Sequence, residues 1–146
     1  LNGFNFNLQK VLDVRNIEED VAHNKFLKSR QEKKNMEEKL LEMNQTKDQI
    51  YNYLREKTEG SVEKTIQARQ FLQLHQVKID RQQKRLDSQK KEVEKKQKEL
   101  VSRQKKRKVL EKLKEKEFKE FQTDFLQTEQ KLLDAIGQRT QQDSIR

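Results

Sequence analysis

No cysteine, proline or tryptophan occurs in the 146 residues, and glycine appears three times. Each absence closes off a class of protein. Without cysteine there is no disulfide framework and no thiolate chemistry, which agrees with a reducing compartment. Without proline, and with so little glycine, the chain lacks the composition of a disordered segment and the punctuation of a many-turned fold. Only 30% of the residues are hydrophobic, and mean hydropathy is −1.29, so a thick single core of the ordinary kind is excluded. No run approaches the roughly 18 apolar residues of a membrane span. The first residues lack the basic-then-apolar order of a secretory signal, so a cytoplasmic home is expected.

Charged residues make up 40% of the chain, and Glu, Lys, Gln, Arg and Leu dominate it. These are strong helix formers. Thr58-Glu59-Gly60-Ser61-Val62 is the one interruption between two long helical stretches. Glycine enters the left-handed conformation that ends a helix, and Ser61 can cap the next one. So short a link makes antiparallel neighbours of the two helices. The expected fold is therefore all-α: two long helices in an antiparallel coiled-coil hairpin. A helix over about 8–57, opened by Asn5 or Asn7, is followed by a turn at 58–61, a second helix over about 61–136 and a disordered tail at 138–146. Gly137 is the expected stop of the second helix.

The apolar stripe of the first helix is Leu8, Leu12, Ala22, Phe26, Met36, Leu40, Met43, Ile50 and Leu54, with Arg15, Glu19, Ser29, Lys33 and Lys47 also in the seam. In the second helix Ile79, Leu86, Val93 and Leu100 recur at every seventh position. Their companions are Gln82 or Gln83, Gln89 or Lys90, and Lys96 or Gln97, so the middle is expected to be the loosest part. Facing residues should have numbers summing to about 120. That rule pairs Leu54 with Ile66, Met43 with Val77, Leu40 with Ile79, Phe26 with Val93, Ala22 with Leu100, Leu12 with Val109 and Leu8 with Leu113. It makes Leu8, Leu12, Val109, Leu110 and Leu113 the best-packed region. It also exhausts the first helix near Phe118, so the second helix overhangs from Phe118 to Ile136.

Nothing in the chain reads as a catalytic or metal constellation. His23 and His75 lack a His-Glu-x-x-His spacing, there is no glycine-rich phosphate loop, and a helix pair offers no dry pocket. No enzyme activity and no cofactor is expected. Charge is informative because it is uneven: Lys78 to Lys116 holds 17 Lys or Arg against 7 Asp or Glu. Lys105, Lys106, Arg107 and Lys108 form its densest run. Three readings are open: a solvated face stitched by pairs such as Glu94 with Lys98 and Glu111 with Lys114, an acidic protein partner, or nucleic acid. Against nucleic acid, Val77 to Glu117 has no aromatic residue to stack on bases, and acids are interspersed among the lysines.

Phe4-Asn5-Phe6-Asn7-Leu8-Gln9-Lys10-Val11-Leu12-Asp13-Val14-Arg15, Arg107-Lys108-Val109-Leu110-Glu111-Lys112-Leu113-Lys114 and Glu129-Gln130-Lys131-Leu132-Leu133-Asp134 resemble the FliJ family of flagellar export proteins in order and spacing. Ala135 departs from it, standing where the family often carries a second acidic residue. The resemblance implies a non-catalytic component of the bacterial type III export apparatus, an antiparallel coiled coil similar to the central stalk of rotary ATPases. Its implied partners are the export ATPase ring, whose assembly and hydrolysis it promotes, the cytoplasmic part of the export gate, and empty export chaperones. Its implied place is the cytoplasm, peripherally at the basal body, without membrane insertion. The candidate partner-binding residues are then Phe118, Phe121, Phe125, Leu132, Leu133 and Ile136 on the overhang, Lys105, Lys106, Arg107 and Lys108 behind it, and Leu12, Asp13 and Arg15 at the start. The basic run is expected to face acidic residues at the ring's mouth. A basic coiled coil that binds nucleic acid, or a purely structural spacer, are the alternative readings.

Overall fold

The computed structural model describes residues 3–56 and 62–145. Two α-helices make up the fold, α1 (Gln9–Glu56) and α2 (Val62–Ile145), packed against each other as an antiparallel coiled-coil hairpin. The expected turn at 58–61, with Gly60 and Ser61, lies outside the described residues. At the start of α1 the Gln9 amide donates to the Phe6 carbonyl at 3.0 Å, so a backbone turn does the work expected of an asparagine cap. The helices contribute to two compact units, Asp20–Val101 on the one hand and Leu1–Glu19 with Ser102–Arg146 on the other.

In the Asp20–Val101 unit the core is a row of apolar side chains at heptad spacing. Ile79, Leu86, Val93 and Leu100 of α2 are all buried, as is Ala22 of α1. Between them lies a ladder of polar side chains. Three α2 residues a heptad apart each reach the main chain of α1: His75 Nε2 lies 2.7 Å from the Met43 carbonyl, Gln82 Nε2 donates to that of Met36 at 3.3 Å, and Gln89 Nε2 to that of Ser29 at 2.9 Å. Gln82 and Ser29 are themselves buried, and the Ser29 hydroxyl donates back to the Phe26 carbonyl at 2.9 Å. A small residue such as Ser29 lets the backbones approach closely enough for a glutamine to span the gap. Buried polar atoms must find partners, and among the described residues none is left without one.

This arrangement corrects two expectations. Met43 faces His75 and not Val77, which is 54% exposed, and Ile66 is likewise turned out. The middle is also the best-buried stretch, because glutamines that bond to the backbone can occupy seam positions at little cost.

In the other unit the order of pairing is equally antiparallel: Glu18 meets Arg103, Gln9 meets Lys114, and Phe4 meets Phe118. Of the cluster expected of Leu8, Leu12, Val109, Leu110 and Leu113, Leu12 is buried and Leu110 and Leu113 are half-buried, but Leu8 is 38% and Val109 66% exposed. Ion pairs join the helices here as well. Beyond it α2 runs through Gly137 to Ile145, which overturns the expected stop and the expected disordered tail. A glycine inside a helix costs only about 1 kcal/mol, and no proline follows to end the run. A Cβ at Gly137 would meet nothing within 4 Å, so no neighbour demands a glycine there.

Candidate partner-binding surface

The surface belongs to the Leu1–Glu19 and Ser102–Arg146 unit and begins with a fold-back. Gly3 has φ of 109°, a backbone conformation that glycine adopts without the Cβ penalty of other residues. The following chain lies over α2. The Phe4 ring meets Phe118 edge-on, with centroids 5.2 Å apart, and tilts over Phe121 at 5.6 Å, while Phe6 is buried at 4% exposure. Edge-to-face contacts of this kind add about 0.5–1.5 kcal/mol beyond the area they bury. Phe121 in turn stacks with Phe125 at 6.3 Å. There the cover ends, and every described side chain from Thr123 to Ser144 is exposed.

Next to the fold-back, four charged side chains tie α1 to α2. The Glu18 carboxylate accepts from Arg15 and from Arg103, each at 3.0 Å. Arg107 reaches Glu19 through Nε and Glu111 through Nη1, the latter at 2.7 Å. A planar guanidinium can serve two carboxylates at once, which a lysine cannot do with the same geometry. The hydrogen bond from Arg15 holds the Glu18 carboxyl below its ordinary value, with help from the charges of Arg103, Arg15 and Lys106 and against some loss of hydration. The bonds to Glu19 and then Glu111 push Arg107 upward, so it stays charged at every working pH. Glu111 is thereby taken by Arg107 and not by Lys114, whose Nζ donates to Gln9 Oε1 at 2.7 Å.

These contacts sort the residues read as partner-binding. Leu12 is core and Arg107 is committed to Glu19 and Glu111, so neither offers a free surface. Arg15 is half-buried on Glu18, and Asp13 accepts from Gln9 Nε2 at 2.8 Å on the exposed side. Phe118 and Phe121 are part-covered by Phe4, the intramolecular cover that a folded-back start would provide. Lys105, Lys106, Lys108, Phe125, Leu132, Leu133 and Ile136 are exposed. The free apolar face therefore starts beyond Gln122 and not at Phe118.

Two features escaped the sequence reading. Leu126, exposed beside Phe125, shares a heptad spacing with Leu133 that would have revealed it. In the Asp20–Val101 unit Tyr51, Tyr53, Phe71, Leu74 and Val77 are exposed, with Phe71 stacked on His75 at 5.4 Å; their signal was an aromatic cluster outside the seam spacing. Among the described residues no group of three or more His, Cys, Asp or Glu is placed to hold a metal ion, and no helix is long and apolar enough to cross a membrane. The grooves are open and charged, such as one lined on α2 by Lys112, Lys116, Lys119, Glu120 and Asp124.

A family model described as Flagellar FliJ protein matches residues 4–145. Comparison with curated proteins and with solved structures gives no match.

Proposed function

The chain belongs to the flagellar FliJ family of non-catalytic export components, and from that premise we propose that it binds the export ATPase ring in a stalk-like manner and stimulates its hydrolysis. In this reading it also links the ring to the export gate and to export chaperones. One observation carries the contact with the ring: beyond Gln122, α2 bears an uncovered apolar face. Phe125, Leu132 and Ile136 are 41%, 62% and 51% exposed, and they fall within one stripe of the helix because they lie seven and four residues apart. Leu126 and Leu133 widen that stripe. A fully buried phenylalanine or leucine is worth roughly 1.5–3 kcal/mol relative to exposure, so leaving five such side chains in water forgoes a large stabilisation. A partner groove recovers it. Phe125, already braced by Phe121, is pre-organised as the anchor that enters first.

The test is the double substitution Phe125→Asp with Leu132→Asp, two exposed positions outside the helix pairing. Helicity by circular dichroism should be retained, while stimulation of the export ATPase falls at least about tenfold through loss of apolar anchors. Unchanged stimulation with helicity intact would move the contact off this face. Loss of salt-sensitive duplex binding in the same variant, with no ATPase effect in either protein, would favour a nucleic-acid reader.

A further inference from the structure

We propose that the outward face of α2 from Lys105 to Lys119 binds the phosphate headgroups of an anionic phospholipid surface. Lys105, Lys108, Lys112, Lys116 and Lys119 are three or four residues apart, so the 3.6-residue period places them along one side of the helix, in a row about 20 Å long. The opposite side is the one that meets α1, through Arg103, Arg107 and Lys114. All five lysines are exposed. Only Lys119 has an acid partner, Glu115 at 3.5 Å, and that pair is 71% and 65% exposed and so is weak.

In linear order the acids of this stretch look interspersed with the lysines, but the folded helix separates them. Glu111 is bound by Arg107, Glu117 is half-buried, and Glu115 lies at the flank. Carboxylates thus flank the row without entering it: Glu115, Glu120 and Asp124 stand beside Lys112, Lys116 and Lys119, and Lys105 and Lys108 have no acid partner among the described residues.

Residue type decides which anion fits. The arginines of this stretch, Arg103 and Arg107, are turned inward and consumed by Glu18, Glu19 and Glu111. Arginine and aromatic residues are what protein hot spots and base readers use, whereas lysine is depleted at protein interfaces. No aromatic residue occurs between Phe71 and Phe118. What remains is a straight row of hydrated point charges on long, flexible stems, with Val109 the one exposed apolar side chain beside it. Such a row can engage a flat, diffuse negative surface along its full length, while a duplex backbone curves away from a straight helix. The attachment is electrostatic and peripheral, without insertion.

The experiment uses the full chain with vesicles of phosphatidylcholine containing about a third phosphatidylglycerol, against phosphatidylcholine alone, scored by co-sedimentation. Binding is expected to the anionic vesicles only, and to fall steeply between about 50 and 200 mM salt as screening shortens. The variant Lys105→Gln, Lys108→Gln, Lys112→Gln, Lys116→Gln should lose at least roughly 100-fold in partitioning, since each near-surface lysine contributes about fivefold. A control with the same net charge, Lys25→Gln, Lys28→Gln, Lys34→Gln, Lys39→Gln on the exposed side of α1, should lose under about tenfold. Circular dichroism checks that both variants remain helical. Absence of vesicle binding, or equal losses in the two variants, overturns the proposal. So does tighter, row-dependent capture of a short DNA duplex, which would assign the face to nucleic acid. None of these readouts involves the ATPase, so the outcome is separate from that of the proposed ring contact.

Discussion

The seam of the Asp20–Val101 unit and that of the Ser102–Arg146 unit are joined by different chemistry. The first alternates buried apolar residues with side chains, the amides of Gln82 and Gln89 among them, that bond to backbone carbonyls; the second relies on arginine–carboxylate pairs and a phenylalanine cluster. Amide-to-carbonyl bonds carry no net charge and are little affected by salt, and here they lie in a part-buried seam in which Gln82 and Ser29 are themselves buried. Ion pairs at a part-exposed seam are screened and titratable. A highly charged chain can therefore keep one stretch of helix pairing insensitive to its surroundings while another responds to them.

The strongest challenge to this contrast is Leu86→Ala. Leu86 is 4% exposed in the middle of the apolar row, so truncation should cost about 2–4 kcal/mol, read as a lower midpoint of thermal unfolding by circular dichroism. A loss under about 0.5 kcal/mol would show that the row contributes little.

A smaller effect is expected of Gln82→Leu. The Met36 carbonyl keeps its helical hydrogen bond when the glutamine is removed, and leucine fills the seam, so stability should stay within about 1 kcal/mol of the parent. Destabilisation as large as that of Leu86→Ala would mean that the ladder, and not the apolar row, holds the pair together.

The smallest effect sharpens the other side of the comparison. Because the folded Glu18 carboxyl titrates below its ordinary 4.5, its contribution is in place above that value and is lost as pH falls through the lower, folded-state value. Unfolding midpoints followed from neutral pH into this acid range should fall less steeply for Glu18→Gln than for the parent, and the difference should shrink in high salt. An identical acid limb in both proteins would remove Glu18 from the seam's response.

The α1 seam was legible residue by residue. From Leu12 through Arg15, Glu19, Ala22, Phe26, Ser29, Lys33, Met36, Leu40, Met43, Lys47 and Ile50 to Leu54, the positions the spacing placed inside are buried or half-buried, and Leu8, at 38% exposed, is the exception. The helical period survives polar interruptions because geometry, and not hydrophobicity alone, sets which side faces the partner. Cross-helix pairing was harder to read. Val77 and Val109 attracted the pairing because they are apolar, whereas the positions facing α1 hold His75 and Arg107, polar residues that bond across the seam. Whether Gln82 or Gln83 turns inward depends on reaching a carbonyl, which no composition rule contains. On the candidate surface, the apolar spacing of Phe125, Leu132 and Ile136 was readable. A back-folded 1–6 segment was one cover the sequence left open for this face; the Gly3 conformation that accompanies Phe4 over Phe118 and Phe121 was not readable.

The ladder is also one-sided. Its donors are side chains of α2, but its acceptors are main-chain oxygens of α1, which every amino acid carries. Met43 and Met36 can drift to other residues of similar size without erasing a bond, whereas His75, Gln82 and Gln89 cannot. The two strands of this pairing thus carry unequal mutational freedom: one helix writes the recognition, and the other supplies a surface on which it is written.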